Sequence, residues 1–269
     1  LKNFQNSYWL WQKRIGFVAI DKESQMLKKA KNLPLPRLQP RRKMNLREYV
    51  QQSTEKVLSE RKEYHLFNRI YVYLKDPLPE DINLSLILQR VEDTIPEYLT
   101  QDVDSVFIGQ FEELNSREVD AVYDKGTIYL TNDQENDEDV FDDIIHEFGH
   151  SIENWAGMEI YGDGAIEREF VAKRKKLFTI LKSLEYNVQL IDFIDTEYSK
   201  NFDFFLYKSV GYDKLNLLTV GLFPTAYSAT SAKEYFAIGF SEYLYGDRKN
   251  LKQVSPFLHQ KIGQLIDPE

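Results

Sequence analysis

Two histidines and a glutamate in the middle of the chain have the types and spacing of a metal site. They lie in His146-Glu147-Phe148-Gly149-His150, a His-Glu-x-x-His motif. On an α-helix, residues four apart lie on the same side, so both imidazoles can bind one ion. In this motif the ion is zinc, and the intervening glutamate acts as a general base on water. Because the chain has only four histidines, we interpret the motif as a zinc site.

The residues around the motif predict a helix. Apolar residues recur at spacings of three and four and form one face: Phe141, Ile145, Phe148, Ile152 and Trp155. The polar residues of the motif fall on the other side: His146, Glu147, His150 and Asn154. Several Asp and Glu residues lie in the first turns, where a negative charge is stabilised by the positive end of the helix dipole. Gly157 is expected to end this helix.

A third ligand is needed, because a catalytic zinc ion usually takes three protein ligands and keeps one position for water. The chain has no cysteine, so that ligand is a histidine or a carboxylate. Glu153 is excluded, since it lies about 10.5 Å along the helix axis from His146. His65 and His259 have no supporting sequence context and are expected to be ordinary histidines. Three downstream glutamates remain as candidates: Glu167, Glu169 and Glu234.

A second motif follows downstream. In residues 227–240 a tyrosine is followed seven residues later by a glutamate that opens an aromatic helix. Together with the His-Glu-x-x-His helix and the hairpin before it, this segment resembles the anthrax lethal factor-like zinc metallopeptidases, which include the Pro-Pro endopeptidases. The resemblance covers residues 104–157 and 222–246 and implies a zincin-like metallopeptidase fold.

The resemblance also implies the roles of the site residues. The implied zinc ligands are His146, His150 and Glu234. Glu147 would activate the water on the zinc ion for attack on a peptide bond, which makes the protein a zinc-dependent endopeptidase. Tyr227 would donate a hydrogen bond to the developing oxyanion. The strand at residues 127–130 would be the edge against which an extended substrate lies.

Two departures from the family pattern stand out. The family places an acid four residues after the ligand glutamate, where this chain has Ile238. Such acids orient a ligand histidine, so the residue that orients His146 or His150 is left open. The separation of His150 from Glu234 is also longer than in the family, which implies inserted helices between about residues 168 and 208.

The hydrophobic patterns predict an α+β domain with a small mixed sheet and a mostly helical C-terminal half. The predicted strands are residues 66–74, 106–109, 121–123 and 127–130, the last two as a hairpin. The predicted helices, besides that of the motif, are residues 45–60, 84–95, 166–184, 188–207 and 235–245.

Basic and acidic residues are distributed unevenly along the chain. Residues 1–62 contain 15 Lys and Arg against 5 Asp and Glu, whereas residues 63–269 contain 19 against 38. With the prolines near residue 40, this predicts a basic, Pro-rich arm at residues 1–43 and the metallopeptidase domain at residues 44–269. The acidic body disfavours nucleic acid and favours a basic peptide substrate. An alternative function is a structural component of a virion or toxin complex, in which the arm binds an assembly partner.

No run of about 18 apolar residues is present, so no membrane span is expected. Residues 15–20 are too few, and lack a cleavage site, for a signal peptide. The chain begins at Leu1 and is expected to be a processed or truncated product. The compartment is left open, and secretion or a place in a larger particle is favoured.

Overall fold

The computed structural model describes residues 64–267, except 113 and 115–118. The predictions for the arm, for the boundary at residue 43 and for a helix at residues 45–60 lie outside these residues. The described part is α+β, as the sequence predicts, with a small mixed sheet followed by a mostly helical half.

The sheet has five strands in the order β1-β2-β3-β5-β4. Their bounds are Tyr64–Leu66 (β1), Ile70–Leu74 (β2), Ser105–Ile108 (β3), Ala121–Asp124 (β4) and Thr127–Leu130 (β5). β2, β3 and β5 are parallel neighbours, and β4 is antiparallel to β5. β5 therefore lies inside the sheet, and the prediction that it forms the edge is wrong. The edge next to it is β4.

Residues 66–74 form two strands instead of the predicted single one. Phe67 and Asn68 have φ values of 54° and 50°, and the Arg69 N–H donates to the carbonyl oxygen of Leu66 at 3.2 Å. Two successive residues with positive φ are the signature of the two-residue turn that joins hairpin strands. The sequence pattern missed it because an aromatic residue rarely adopts a positive φ.

The β4–β5 hairpin was predicted correctly. Lys125 and Gly126 form its two-residue turn with φ values of 46° and 85°, and Tyr123 lies opposite Ile128 in the ladder. On one face of the sheet the side chains of the central strands are fully or nearly fully buried and form the core with the helices: Val72, Val106, Ile108, Ile128 and Leu130.

Two helices of the first half border this core. α1, Leu84–Thr94, begins at the side-chain cap of Asn83 and ends before Pro96. α2, Asp137–Tyr161, carries the motif, and the Asn136 side chain caps it by accepting from two backbone N–H groups. The helix continues four residues past Gly157, so the predicted end is wrong. A side chain at residue 157 would point into open space, so nothing at this position forces a turn.

The second half is helical. Its helices are Ala165–Ser183 (α3), Leu190–Ile194 (α4), Lys200–Phe204 (α5), Tyr212–Thr219 (α6), Ala232–Leu244 (α7), Arg248–Val254 (α8) and Pro256–Ile266 (α9). Short 3₁₀ turns occur at Glu97–Thr100 and Tyr227–Ala229, and a π-helical turn at Phe205–Val210. The helix predicted at residues 188–207 is thus divided into α4, α5 and the start of the π turn. The helix predicted at residues 235–245 is α7, which two further helices follow.

A glycine sets the distance between α2 and α7. A Cβ atom added to Gly149 would lie 3.0 Å from the Cα of Ala237, closer than packed side chains allow. The two helices approach this closely because residue 149 has no side chain. Gly149 lies between His146 and His150 in α2, and Ala237 follows Tyr235 and Phe236 in α7. The contact between Gly149 and Ala237 therefore fixes how the two helices face each other.

Candidate metal centre

The motif helix presents its two histidines toward each other, as the sequence predicts. Phe141, Ile145, Phe148 and Ile152 are fully buried on one face of α2, whereas His146 and His150 are partly exposed. The Nε2 atoms of the two imidazoles are 3.2 Å apart. Both nitrogens therefore point to the same place beside the helix.

Glu234, in the first turn of α7, lies against the same two nitrogens. Ser231 caps α7 and accepts from the Glu234 N–H at 3.1 Å, which fixes the start of the helix. The Glu234 Oε2 atom is 3.1 Å from His146 Nε2, and Oε1 is 3.6 Å from His150 Nε2. Burial raises the pKa of Glu234, but the two histidines outweigh burial and lower it overall. The carboxylate is thus held in its charged form.

These donor atoms have the separations of metal ligands. Around a tetrahedral ion with bonds of about 2.0–2.1 Å, neighbouring ligand atoms are about 3.3–3.4 Å apart, and the observed separations are 3.1, 3.2 and 3.6 Å. One ligand atom from each of His146, Glu147 and His150 also lies within 4.8 Å of the others. The group is close enough to bind a metal ion, and its two imidazoles and carboxylates fit a divalent transition metal.

Glu147 is held beside this centre by the edge strand. Its side chain is only 5% exposed, and Oε2 accepts a hydrogen bond from the backbone N–H of Tyr123 in β4. Burial raises its pKa, although the two histidines act in the opposite direction. Among the described residues no hydrogen-bond partner occupies its Oε1 atom. One carboxylate oxygen of Glu147 is therefore held by a hydrogen bond, and the other is left available for a further hydrogen bond.

Glu153 orients His150. Its Oε2 atom is 2.9 Å from His150 Nδ1, and the Tyr161 hydroxyl donates to its Oε1 atom. A carboxylate on Nδ1 fixes the ring and makes Nε2 the coordinating atom. The distance along the helix excludes Glu153 as a ligand that shares one ion with His146, but it does not exclude this supporting role. The signal was the spacing of three between His150 and Glu153, which places both on one side of α2.

Replacing Glu153 should weaken metal binding without removing a ligand. We expect Glu153→Gln to lower the affinity for Zn²⁺ about 10–100-fold, the usual cost of losing a partner of a ligand histidine. Titration of the metal-free protein with Zn²⁺ measures this, and Glu159→Gln, an exposed acid on the same helix, is the control. Equal affinities in the two variants would show that Glu153 does not support His150.

The first histidine lacks a comparable partner. Its Nδ1 atom is buried and has no hydrogen-bond partner within the part of the chain that the structure describes. Ile238, at the position where the resembling family has an acid, is fully buried in α7. The two histidines are therefore supported unequally: a carboxylate fixes His150, whereas packing holds His146.

Tyr227 lies in the 3₁₀ turn before α7 and is 8% exposed. Burial raises its pKa well above the usual value, and the charges of Glu234 and Asp203 raise it further. The phenol is therefore within the electrostatic reach of Glu234 and keeps its proton at neutral pH. Tyr227 begins the turn that leads into the helix carrying Glu234.

The alternative ligands have other partners. Glu169 accepts from the Tyr235 hydroxyl at 2.7 Å and from the Phe257 N–H at 3.0 Å, and so connects α3 to α7 and the start of α9. His65 packs against Tyr71, and His259 packs against Tyr243. Among the described residues, the group whose ligand atoms all lie within 4.8 Å of one another is His146, Glu147 and His150. Glu234 is not part of that group, and its link to the site is its contacts to the two histidine nitrogens.

No family model, curated protein or solved structure matches this chain. None of the helices that the structure describes is long and apolar enough to cross a bilayer.

Proposed function

We propose that the protein is a zinc-dependent endopeptidase with a zincin-like fold. The observation that carries this proposal is the meeting of His146, His150 and Glu234 beside a buried glutamate, Glu147. Two imidazoles, one carboxylate and an open position for water are the ligand set of catalytic zinc sites. A zinc ion bound there would lower the pKa of its water to about 7 and polarise the carbonyl of the scissile bond.

Glu147 is the proposed general base and acid. Its Oε2 atom is fixed by the Tyr123 N–H, so its other oxygen is available to take a proton from water and to pass it to the leaving amine. Burial raises the pKa of this carboxyl group, which moves it toward the range where it exchanges protons near neutral pH. Tyr123 thus contributes through its backbone to the position of the base.

Tyr227 is the proposed donor to the oxyanion that develops on the peptide carbonyl. A phenol whose pKa is raised stays protonated and can donate throughout the neutral range. The edge strand β4 is the proposed place for the substrate backbone, because an extended peptide can add to an open sheet edge. This assignment replaces β5, since β4 separates β5 from that edge.

The proposal is tested with the full chain and a peptide library. We expect about one Zn²⁺ per chain and cleavage of internal peptide bonds, which a chelator stops and added Zn²⁺ restores. Analysis of products by mass spectrometry locates the cleaved bonds. Failure to bind Zn²⁺, or cleavage that continues unchanged in the chelator, would overturn the proposal.

A further inference from the structure

An inserted helical segment between α3 and α7 is attached to the start of α7. The carbonyl oxygen of Thr196 accepts from the backbone N–H of Ala232, the first residue of α7, at 2.9 Å. Arg174, buried in α3, donates to the carbonyl oxygens of Asp192 and Thr230. These contacts hold residues 190–204 against the turn that leads into Glu234.

This segment carries a carboxylate held by two tyrosines. Asp203 Oδ2 accepts from the Tyr198 hydroxyl at 2.8 Å, and Oδ1 accepts from the Tyr212 hydroxyl at 3.2 Å. Asp203 is partly buried, and Tyr198 is 52% exposed. Within residues 64–267, as far as they are described, no Lys or Arg forms an ion pair with Asp203. We call these three residues the Asp203 cluster.

The Asp203 cluster lies within the electrostatic reach of the candidate metal centre. Burial raises the pKa of Tyr198 and of Tyr212, and the charges of Asp203 and Glu234 raise both further. The pKa of Tyr227 is likewise raised by Asp203. Tyr198 is two residues from Thr196, whose carbonyl oxygen accepts from the Ala232 N–H at 2.9 Å, so the cluster lies near the turn that leads into Glu234.

The chemistry of the cluster favours a cation. Each tyrosine hydroxyl donates its one hydrogen bond to Asp203, so both hydroxyl oxygens can only accept further hydrogen bonds. The cluster therefore offers acceptors and a negative charge but no free donor. A Lys or Arg side chain supplies both donors and positive charge, and the exposed ring of Tyr198 offers a face for a cation.

We infer that the Asp203 cluster is a subsite that selects a basic side chain of the peptide substrate. The inference rests on the proposed peptidase function and adds to it a specificity for Lys or Arg at one position near the cleaved bond. The residues that would give this specificity are Tyr198, Asp203 and Tyr212. None of them belongs to the His-Glu-x-x-His motif or to the Tyr227–Glu234 pair.

The test compares the cleavage specificity of three proteins on a library that varies each position around the cleaved bond. The wild type should prefer Lys or Arg over Met at one position by about tenfold or more, the value of a hydrogen bond to a charged group. Asp203→Asn removes the charge and keeps one acceptor oxygen, with its NH₂ group facing the oxygen of the second tyrosine, so this preference should fall to near unity. Asp192→Asn, which removes an exposed charge from the same segment, should keep it.

A binding measurement tests the same subsite without turnover. In Glu147→Gln protein, fluorescence anisotropy should show a labelled Lys peptide from the library binding about tenfold tighter than its Met counterpart, less so at high salt. Adding Asp203→Asn should abolish the difference, and a melting curve shows that the variant is folded at the temperature of the measurement. The wild type could cleave peptides and show no preference for Lys or Arg that Asp203→Asn removes. That result would overturn the inference and leave the peptidase proposal standing. If no peptide is cleaved by the wild type, both fail.

Discussion

Glu147→Gln should lower peptide cleavage about 10²–10⁴-fold, the usual contribution of a general acid–base group, and leave Zn²⁺ bound. Glutamine has the same shape and keeps an oxygen that can accept from the Tyr123 N–H, so the hydrogen bond to β4 survives. What disappears is the ability to take a proton from water. The proposed metal ligands are His146, His150 and Glu234, so the affinity for Zn²⁺ should change little.

The measurement pairs cleavage of one library peptide with a Zn²⁺ titration of the same preparation. Tyr227→Phe provides the comparison, because it removes one proposed oxyanion donor and should cost about 10²–10³ in rate with the metal retained. Appreciable turnover by Glu147→Gln would show that this glutamate is not the base. An unchanged rate in Tyr227→Phe would assign that tyrosine to the aromatic core.

Several features of this fold can be predicted from local patterns in the sequence. The apolar face of α2 follows from a 3.6-residue period, and the β4–β5 hairpin follows from a turn that contains Gly126. The two motif histidines share one side of α2 for the same reason. Each of these features depends on residues within one or two turns of the chain, where sequence spacing and spatial distance agree.

The features that the sequence did not reveal depend on distant residues. The order of strands places β5 between β3 and β4, and no local pattern encodes which strands pair. Phe67 occupies a positive-φ turn that its residue type disfavours. Glu153 was weighed only as a ligand, and its contact to His150 becomes visible only with side chains in place. Asp203 contacts Tyr198 and Tyr212 because of how the chain between α3 and α7 folds, which no local pattern in the sequence indicates.

Glu234→Ala should reduce the affinity for Zn²⁺ by more than the 10–100-fold that follows the loss of a histidine's supporting partner. The reason is that Glu234 is one of the three proposed ligands, with its oxygens 3.1 and 3.6 Å from the histidine nitrogens. Competition with a chromophoric chelator measures the affinity. A melting curve taken without metal separates the loss of a ligand from a general loss of fold.

Glu169→Ala provides the matched control, because it removes a carboxylate with structural partners and no place in the metal centre. The buried Tyr235 hydroxyl would lose its acceptor, which costs about 1–3 kcal/mol for a buried polar group left unpaired. The Phe257 N–H is exposed and can bind water instead. The melting temperature of the variant should therefore fall while its affinity for Zn²⁺ stays at the wild-type value. Loss of Zn²⁺ binding in Glu169→Ala, with normal binding in Glu234→Ala, would move the third ligand to α3.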